Sequence, residues 1–119
     1  MKLAISTQGS DFNSPVDLRF GRAPFFLIVD TETGQQTPVD NASGVNAVQG
    51  AGTQAVQSLV RLGVQAVLTG HVGPKAWSAL QASNVQVYAV DGGTVEQAVQ
   101  AFMAGQLRAM SQATVRGHW

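Results

Sequence analysis

No cysteine occurs among the 119 residues. That absence excludes disulfides, thiolate nucleophiles and every cysteine-held zinc or iron–sulfur site. Two histidines, His71 and His118, are then the only strong nitrogen ligands in the chain. Charge is scarce as well. Asp, Glu, Lys and Arg make up 12% of the residues, against about 25% in an ordinary domain. Seven basic residues balance seven acidic ones, for a net charge of zero. No global field draws such a chain onto nucleic acid or an anionic membrane, so any positive site must be local. No apolar run approaches the ~20 residues needed to cross a bilayer. The opening Met1-Lys2-Leu3-Ala4-Ile5-Ser6-Thr7-Gln8-Gly9 turns polar too early for a signal-peptide core. The expectation is a soluble, cytoplasmic protein with no membrane or nucleic-acid partner.

The familiar enzyme signatures are missing too. There is no Gly-x-x-x-x-Gly-Lys-Ser/Thr loop, no Gly-x-Gly-x-x-Gly after the first strand and no Gly-x-Ser-x-Gly elbow. A closed zinc site is implausible with two distant histidines. The first strand carries no acid with which to begin a two-metal carboxylate cluster, and the aspartates are scattered, mostly at turns. An enzyme is therefore the least supported class.

What is present is a globular pattern. Hydrophobic residues make up 45% of the chain, enough for one domain with an ordinary core. Thirteen glutamines fill much of the polar surface in place of charges. Lys2 to Thr7 reads as a strand, followed by a long loop running to about Pro24. Phe25 to Asp30 is almost wholly apolar, as in a strand covered on both faces. Thr33-Gly34 turns the chain, and Gln36 to Asn41 can return as an antiparallel neighbour, with Pro38 tolerated only near an edge or end. From Val45 to Leu62 the period becomes helical, with Val48, Ala51, Ala55, Leu59 and Leu62 on one face and Gly63 as the stop. Val64 to Leu68 and Val85 to Val90 read as short strands. Pro74 opens a helix to about Ser83, with Ala76, Trp77 and Leu80 inward. Thr94 caps a further helix over Glu96 to Ala104, whose stripe is Val95, Ala98, Val99, Phe102 and Met103. The order β-β-β-α-β-α-β-α predicts an α/β domain with three layers over residues 1–105. Residues 106–119 read as a partly ordered tail.

In open α/β sheets ligands bind beyond the carboxyl ends of the parallel strands. Three loops fit that position: Gln8 to Pro24, Thr69 to Pro74 and Asp91 to Thr94. The first carries Arg19 and Arg22, which can clamp an anion or brace the loop through carbonyls or Asp17. The second carries His71 beside a helix start. That imidazole can serve as a metal or cluster ligand, as a general acid or base, or as a hydrogen-bonded loop residue. Phe20 and Trp77 read as packing residues, and His118, next to Trp119, as a mobile terminal residue.

Two of these loops carry a resemblance. Val16-Asp17-Leu18-Arg19-Phe20-Gly21-Arg22-Ala23-Pro24-Phe25-Phe26 resembles the V-D-x-R/H-F-G-R-A-x-x-F segment of the dinitrogenase iron–molybdenum cofactor biosynthesis family. Thr69-Gly70-His71-Val72-Gly73-Pro74-Lys75-Ala76 resembles its Gly-x-x-Gly-Pro-x-Ala turn entering a helix. The opening residues and Leu62-Gly63-Val64 are similar as well, so the resemblance spans roughly residues 1 to 105. It implies a ribonuclease H-like three-layer α/β/α arrangement with a five-stranded mixed sheet and one antiparallel strand. It also implies kinship with nitrogenase accessory factors that hold iron–molybdenum cofactor, or an iron–sulfur cluster precursor, and pass it to cofactor-assembly proteins. The cofactor-binding residues so implied are Arg19, Phe20, Gly21 and Arg22, with His71 and Gly73 from the second loop. His71 would be the metal ligand. Arg19 stands where many dedicated carriers of the family have histidine, and Val72 where some stand-alone members have cysteine. The expected function is a non-catalytic carrier of a metal cluster. The alternative is a small-molecule anion-binding regulatory module without metal.

Overall fold

Alternation along the first strand separates two cores. Leu3 and Ile5 point to one side of the sheet and Ala4 to the other, all with no measurable exposure, as a period of two requires. The structure, a computed structural model, describes residues 1–41 and 51–113. Its strands are β1 (Lys2–Thr7), β2 (Phe25–Asp30), β3 (Gln36–Asp40), β4 (Ala66–Thr69), β5 (Gln86–Ala89) and β6 (Arg108–Ala109). Its helices are α1 (Ala51–Arg61), α2 (Pro74–Ala82) and α3 (Val95–Met103). One sheet holds all six strands in the order β3-β2-β1-β4-β5-β6. β1, β4 and β5 are parallel, whereas β2 runs antiparallel to β1 and to β3.

The sheet has six strands rather than the five expected, and β6 is a second strand set against the parallel set. It lies in the stretch expected to be a tail. A strand of two residues has no periodicity to read, and its pairing with β5 is long-range. Met110 extends the contact by donating its amide to the Val87 carbonyl at 2.8 Å.

On one face Ala55, Val56 and Leu59 of α1 and Ala76 and Leu80 of α2 pack against Phe26, Ile28, Val67 and Val87. On the other, Val95 and Ala98 of α3 pack against Leu3, Ile5, Leu27 and Leu68. β2 is thus covered on both sides, as its unbroken apolar run requires. β3 lies at the sheet edge with Pro38 exposed, where a missing N–H costs nothing.

Gly63 and Gly105 end α1 and α3 in the left-handed region, at φ 80° and 72°. Two stripe assignments change. Leu62 is 40% exposed because α1 stops at Arg61 and the chain has already turned away. Met103 is 59% exposed. It lies eight residues beyond Val95, about 80° around the helix and outside the arc that Ala98, Val99 and Phe102 share. The expected start of the first helix, including Val45 and Val48, falls outside the described residues.

Candidate functional site

Ser6, Thr7 and Thr69 bring polar side chains into full burial where β1 and β4 end, and the loops grow from that layer. Ser6 Oγ donates to the Asp17 carbonyl at 2.6 Å and lies 2.7 Å from Thr69 Oγ1. Asp17 returns its amide to the Ser6 carbonyl at 2.8 Å. A hydroxyl supplies one donor and two acceptor sites, so this one links the two strand ends to the loop between them.

From there the first loop is held against both others. The His71 amide donates to the Leu18 carbonyl at 2.6 Å, and the Phe20 amide to the His71 carbonyl at 3.1 Å. Arg19 and His71 thereby form a parallel backbone bridge. On the far side the Val16 amide donates to the Gly93 carbonyl at 2.9 Å, and Pro15 bridges to Thr94. The three loops at the carboxyl ends of β1, β4 and β5 therefore form one surface, and the two motif loops are joined residue to residue.

The helix starts at this surface differ. In α3 the amides of Val95 and Glu96 donate to the carbonyls of Ser14 and Phe12, each at 3.0 Å. The Gln97 amide donates to Thr94 Oγ1 at 3.2 Å, within a capping box. That terminus is consumed by the protein itself. α2 begins at Gly73 with Pro74 in its first turn, and Gly73 offers no capping side chain. Its partial positive charge falls beside His71.

Arg19 braces the loop. Its Nε and Nη2 donate to Asp17 Oδ1 and Oδ2 at 3.3 and 3.2 Å, and its own amide reaches Oδ1 at 2.9 Å. The carboxylate is buried and the guanidinium half exposed. Hydrogen bonding to Asp17, and then its negative charge, hold the Arg19 guanidinium above its ordinary pKa. Phe20, Gly21 and Arg22 follow as one 3-10 turn. The Phe20 ring is 1% exposed and packs on Phe26 with centroids 5.3 Å apart. As a side chain it belongs to the core, and its backbone is what it presents to the loop. His71 and Arg22 are partly buried, and Gly73 is buried.

Asn41 is a residue that sequence reasoning missed. It is 6% exposed and donates from Nδ2 to the carbonyls of Gly21 and Ala23 at 3.2 and 2.8 Å. Its amide also reaches the Pro24 carbonyl at 2.9 Å. It thus holds the Arg-Phe-Gly-Arg turn from behind. At the end of an edge strand an asparagine reads as a turn residue, and nothing local announces its partners. Asn41→Ala leaves two buried carbonyls without that donor and is expected to cost about 2 kcal/mol. Urea unfolding followed by circular dichroism would measure it.

Among the described residues no group of three His, Asp or Glu side chains is placed to hold a metal ion. His71 is the one imidazole at this surface, and His118 lies outside the described residues. The joined loops thus carry two guanidinium groups and one imidazole.

The model of the family described as dinitrogenase iron-molybdenum cofactor matches residues 1–105. The chain belongs to that family. Both motif loops fall within the matched residues. Among solved structures, the apo form of the orange protein from Desulfovibrio gigas superposes with a TM-score of 0.93 at 40% identity, covering 96% of each chain. A Thermotoga protein described as NifB-like and placed in the DUF35 family gives a TM-score of 0.86 at 40% identity over 98% of each chain. An uncharacterised protein of Methanocaldococcus jannaschii is 27% identical over 110 residues, which is 90% of this chain and 89% of that one. No helix among the described residues is long and apolar enough to cross a membrane.

Proposed function

We propose that this member of the dinitrogenase iron-molybdenum cofactor family is a non-catalytic carrier of an anionic metal–sulfur cluster. Its cargo is iron–molybdenum cofactor or an iron–sulfur precursor, received from and passed to cofactor-assembly proteins in the cytoplasm. The observation that carries the reading is the backbone bridge between Arg19 and His71, which brings both family motifs to one surface. Arg22 and the Asp17-braced Arg19 supply positive charge, and His71 supplies a single nitrogen ligand. Gly21 and Gly73 are buried and put no side chain into that surface. Phe20 contributes by anchoring the turn. One imidazole without thiolates makes a weak, exchangeable attachment, which suits a protein that must release what it holds. We also read β3-β2-β1-β4-β5 as a ribonuclease H-like core to which β6 adds an edge.

The test is anaerobic. The purified protein is incubated with isolated iron–molybdenum cofactor and passed through gel filtration, and co-eluting iron and molybdenum are quantified. Stoichiometric metal is expected. His71→Ala and Arg19→Ala should each lower retention about tenfold, the loss of one charged or ligating contact, with unchanged circular dichroism. Equal retention by both variants would remove these residues from the mechanism. Metal-free protein, in a run where an established carrier retains the cofactor, would favour a metal-free anion-binding module using the same arginines. The absence of thiol ligands is the observation that keeps this second reading in view.

A further inference from the structure

A recess of about 500 Å³ opens at the carboxyl end of β5 on the side of α3. Val90, Ala98, Ala101 and Leu107 give it an aliphatic floor, and Asp91 and Arg108 stand at its rim. The small side chains of α3 create the space, and its volume lies within the range of small-molecule sites. Arg108 is paired across the sheet with Ala89, two residues before Asp91. Asp91 lies two residues past the end of β5, and it and Arg108 both line the recess. Two opposite charges thus face one recess. Among the described residues they form no ion pair with each other or with any other group. In a chain so poor in charge, an acid and a base that line one recess without neutralising each other leave room for a molecule that carries both signs.

We propose that this recess binds a zwitterionic α-amino acid with an aliphatic side chain. Arg108 takes the carboxylate, Asp91 takes the ammonium, and the side chain rests on Val90, Ala98, Ala101 and Leu107. A guanidinium and a carboxylate at opposite ends fix the head group by charge-assisted hydrogen bonds. The aliphatic floor rewards an apolar tail by removing it from water. The recess is lined by none of Arg19, Arg22 and His71, so the proposal does not depend on the cargo assigned to them.

The experiment is a titration of the ¹⁵N-labelled full chain, followed by amide NMR. The probes are L-leucine, 3-methylbutylamine, which lacks the carboxylate, and 4-methylpentanoate, which lacks the ammonium. Leucine should give saturable shifts centred on Gly92, Ala101 and Arg108, and each single-charge probe should bind about tenfold more weakly or worse. Arg108→Gln and Asp91→Asn should each weaken leucine binding by about tenfold. Both positions are exposed, so the variants are expected to fold, and circular dichroism would verify it. Retention of iron–molybdenum cofactor should not change in Arg108→Gln, which lies outside the three loops. Equal binding of 4-methylpentanoate and leucine would replace the proposal with a simple anion site. No saturable shift up to about 10 mM leucine, or shifts unaffected by both substitutions, would overturn it.

Discussion

Phe20→Ala is expected to destabilise the protein by about 4 kcal/mol, in the range for deleting a fully buried aromatic ring. That is enough to lower its melting temperature by about 15 °C for a domain of this size. The ring is 1% exposed and forms part of the core shared by α1, α2 and the sheet. It also meets Phe26 at an interplanar angle of 56°, a tilted geometry that adds to simple burial. Its backbone amide is one of the two that join the motif loops, so removing the ring loosens the surface at its anchor. Phe20→Leu keeps most of the apolar volume and should cost about 1.5 kcal/mol. Chemical denaturation gives both values. Cluster retention by the leucine variant then separates two roles. A packing residue lets retention follow stability, so Phe20→Leu should hold nearly the wild-type amount of metal. A large loss of metal with little loss of stability would mean that the ring touches the cargo.

Much of this architecture is legible in the chain, because its signals are local. The unbroken apolar run of β2, the helical spacing of Ala55 and Leu59, and the stops at Gly63 and Gly105 each follow from period or backbone freedom within a few residues. Pro74 and Thr94 mark helix starts for equally local reasons. What escaped is what depends on pairing at a distance. β6 is too short to carry a pattern, and it exists because β5 offers an open edge. Leu62 and Met103 match a helical face in spacing, but the end of the helix and the width of the buried arc decide against them. At the site, the loops could be placed at the carboxyl ends of the strands, and Asp17 could be weighed as a partner for Arg19. The Arg19–His71 bridge could not, since two irregular segments joined by two hydrogen bonds have no periodicity. Asn41 escaped for the same reason, because its acceptors lie 18 and 20 residues earlier in the chain.

Gly70→Ala tests that bridge directly and is expected to cost about 3 kcal/mol, at the upper end for overpacking a tight site. A Cβ at position 70 would stand 2.7 Å from Leu18 Cβ, 2.9 Å from its Cδ2 and 3.0 Å from its carbonyl oxygen. The Cδ2 contact could be relieved by a rotamer change. The other two could not, because Cβ and the carbonyl are fixed to the backbone. Gly70 is not among the glycines of positive φ, so the penalty is steric rather than conformational. Relief requires the segment around Leu18 to move away from His71, at the point where the His71 amide reaches the Leu18 carbonyl. Amide hydrogen exchange should therefore accelerate at Phe20 and His71 before it changes in the β1–β4 ladder. Leu18→Ala in the same chain should recover only part of the loss, since it removes Cδ2 and leaves Cβ and the carbonyl in place. Under the carrier reading, Gly70→Ala should also lower cluster retention although Arg19, Arg22 and His71 are all present. Exchange at Phe20 and His71 unchanged from wild type would show that the loops accommodate a methyl group without parting. Retention that stayed intact while that exchange rose would separate the bridge from the cargo site, leaving the arginine turn to hold the cluster without the second loop.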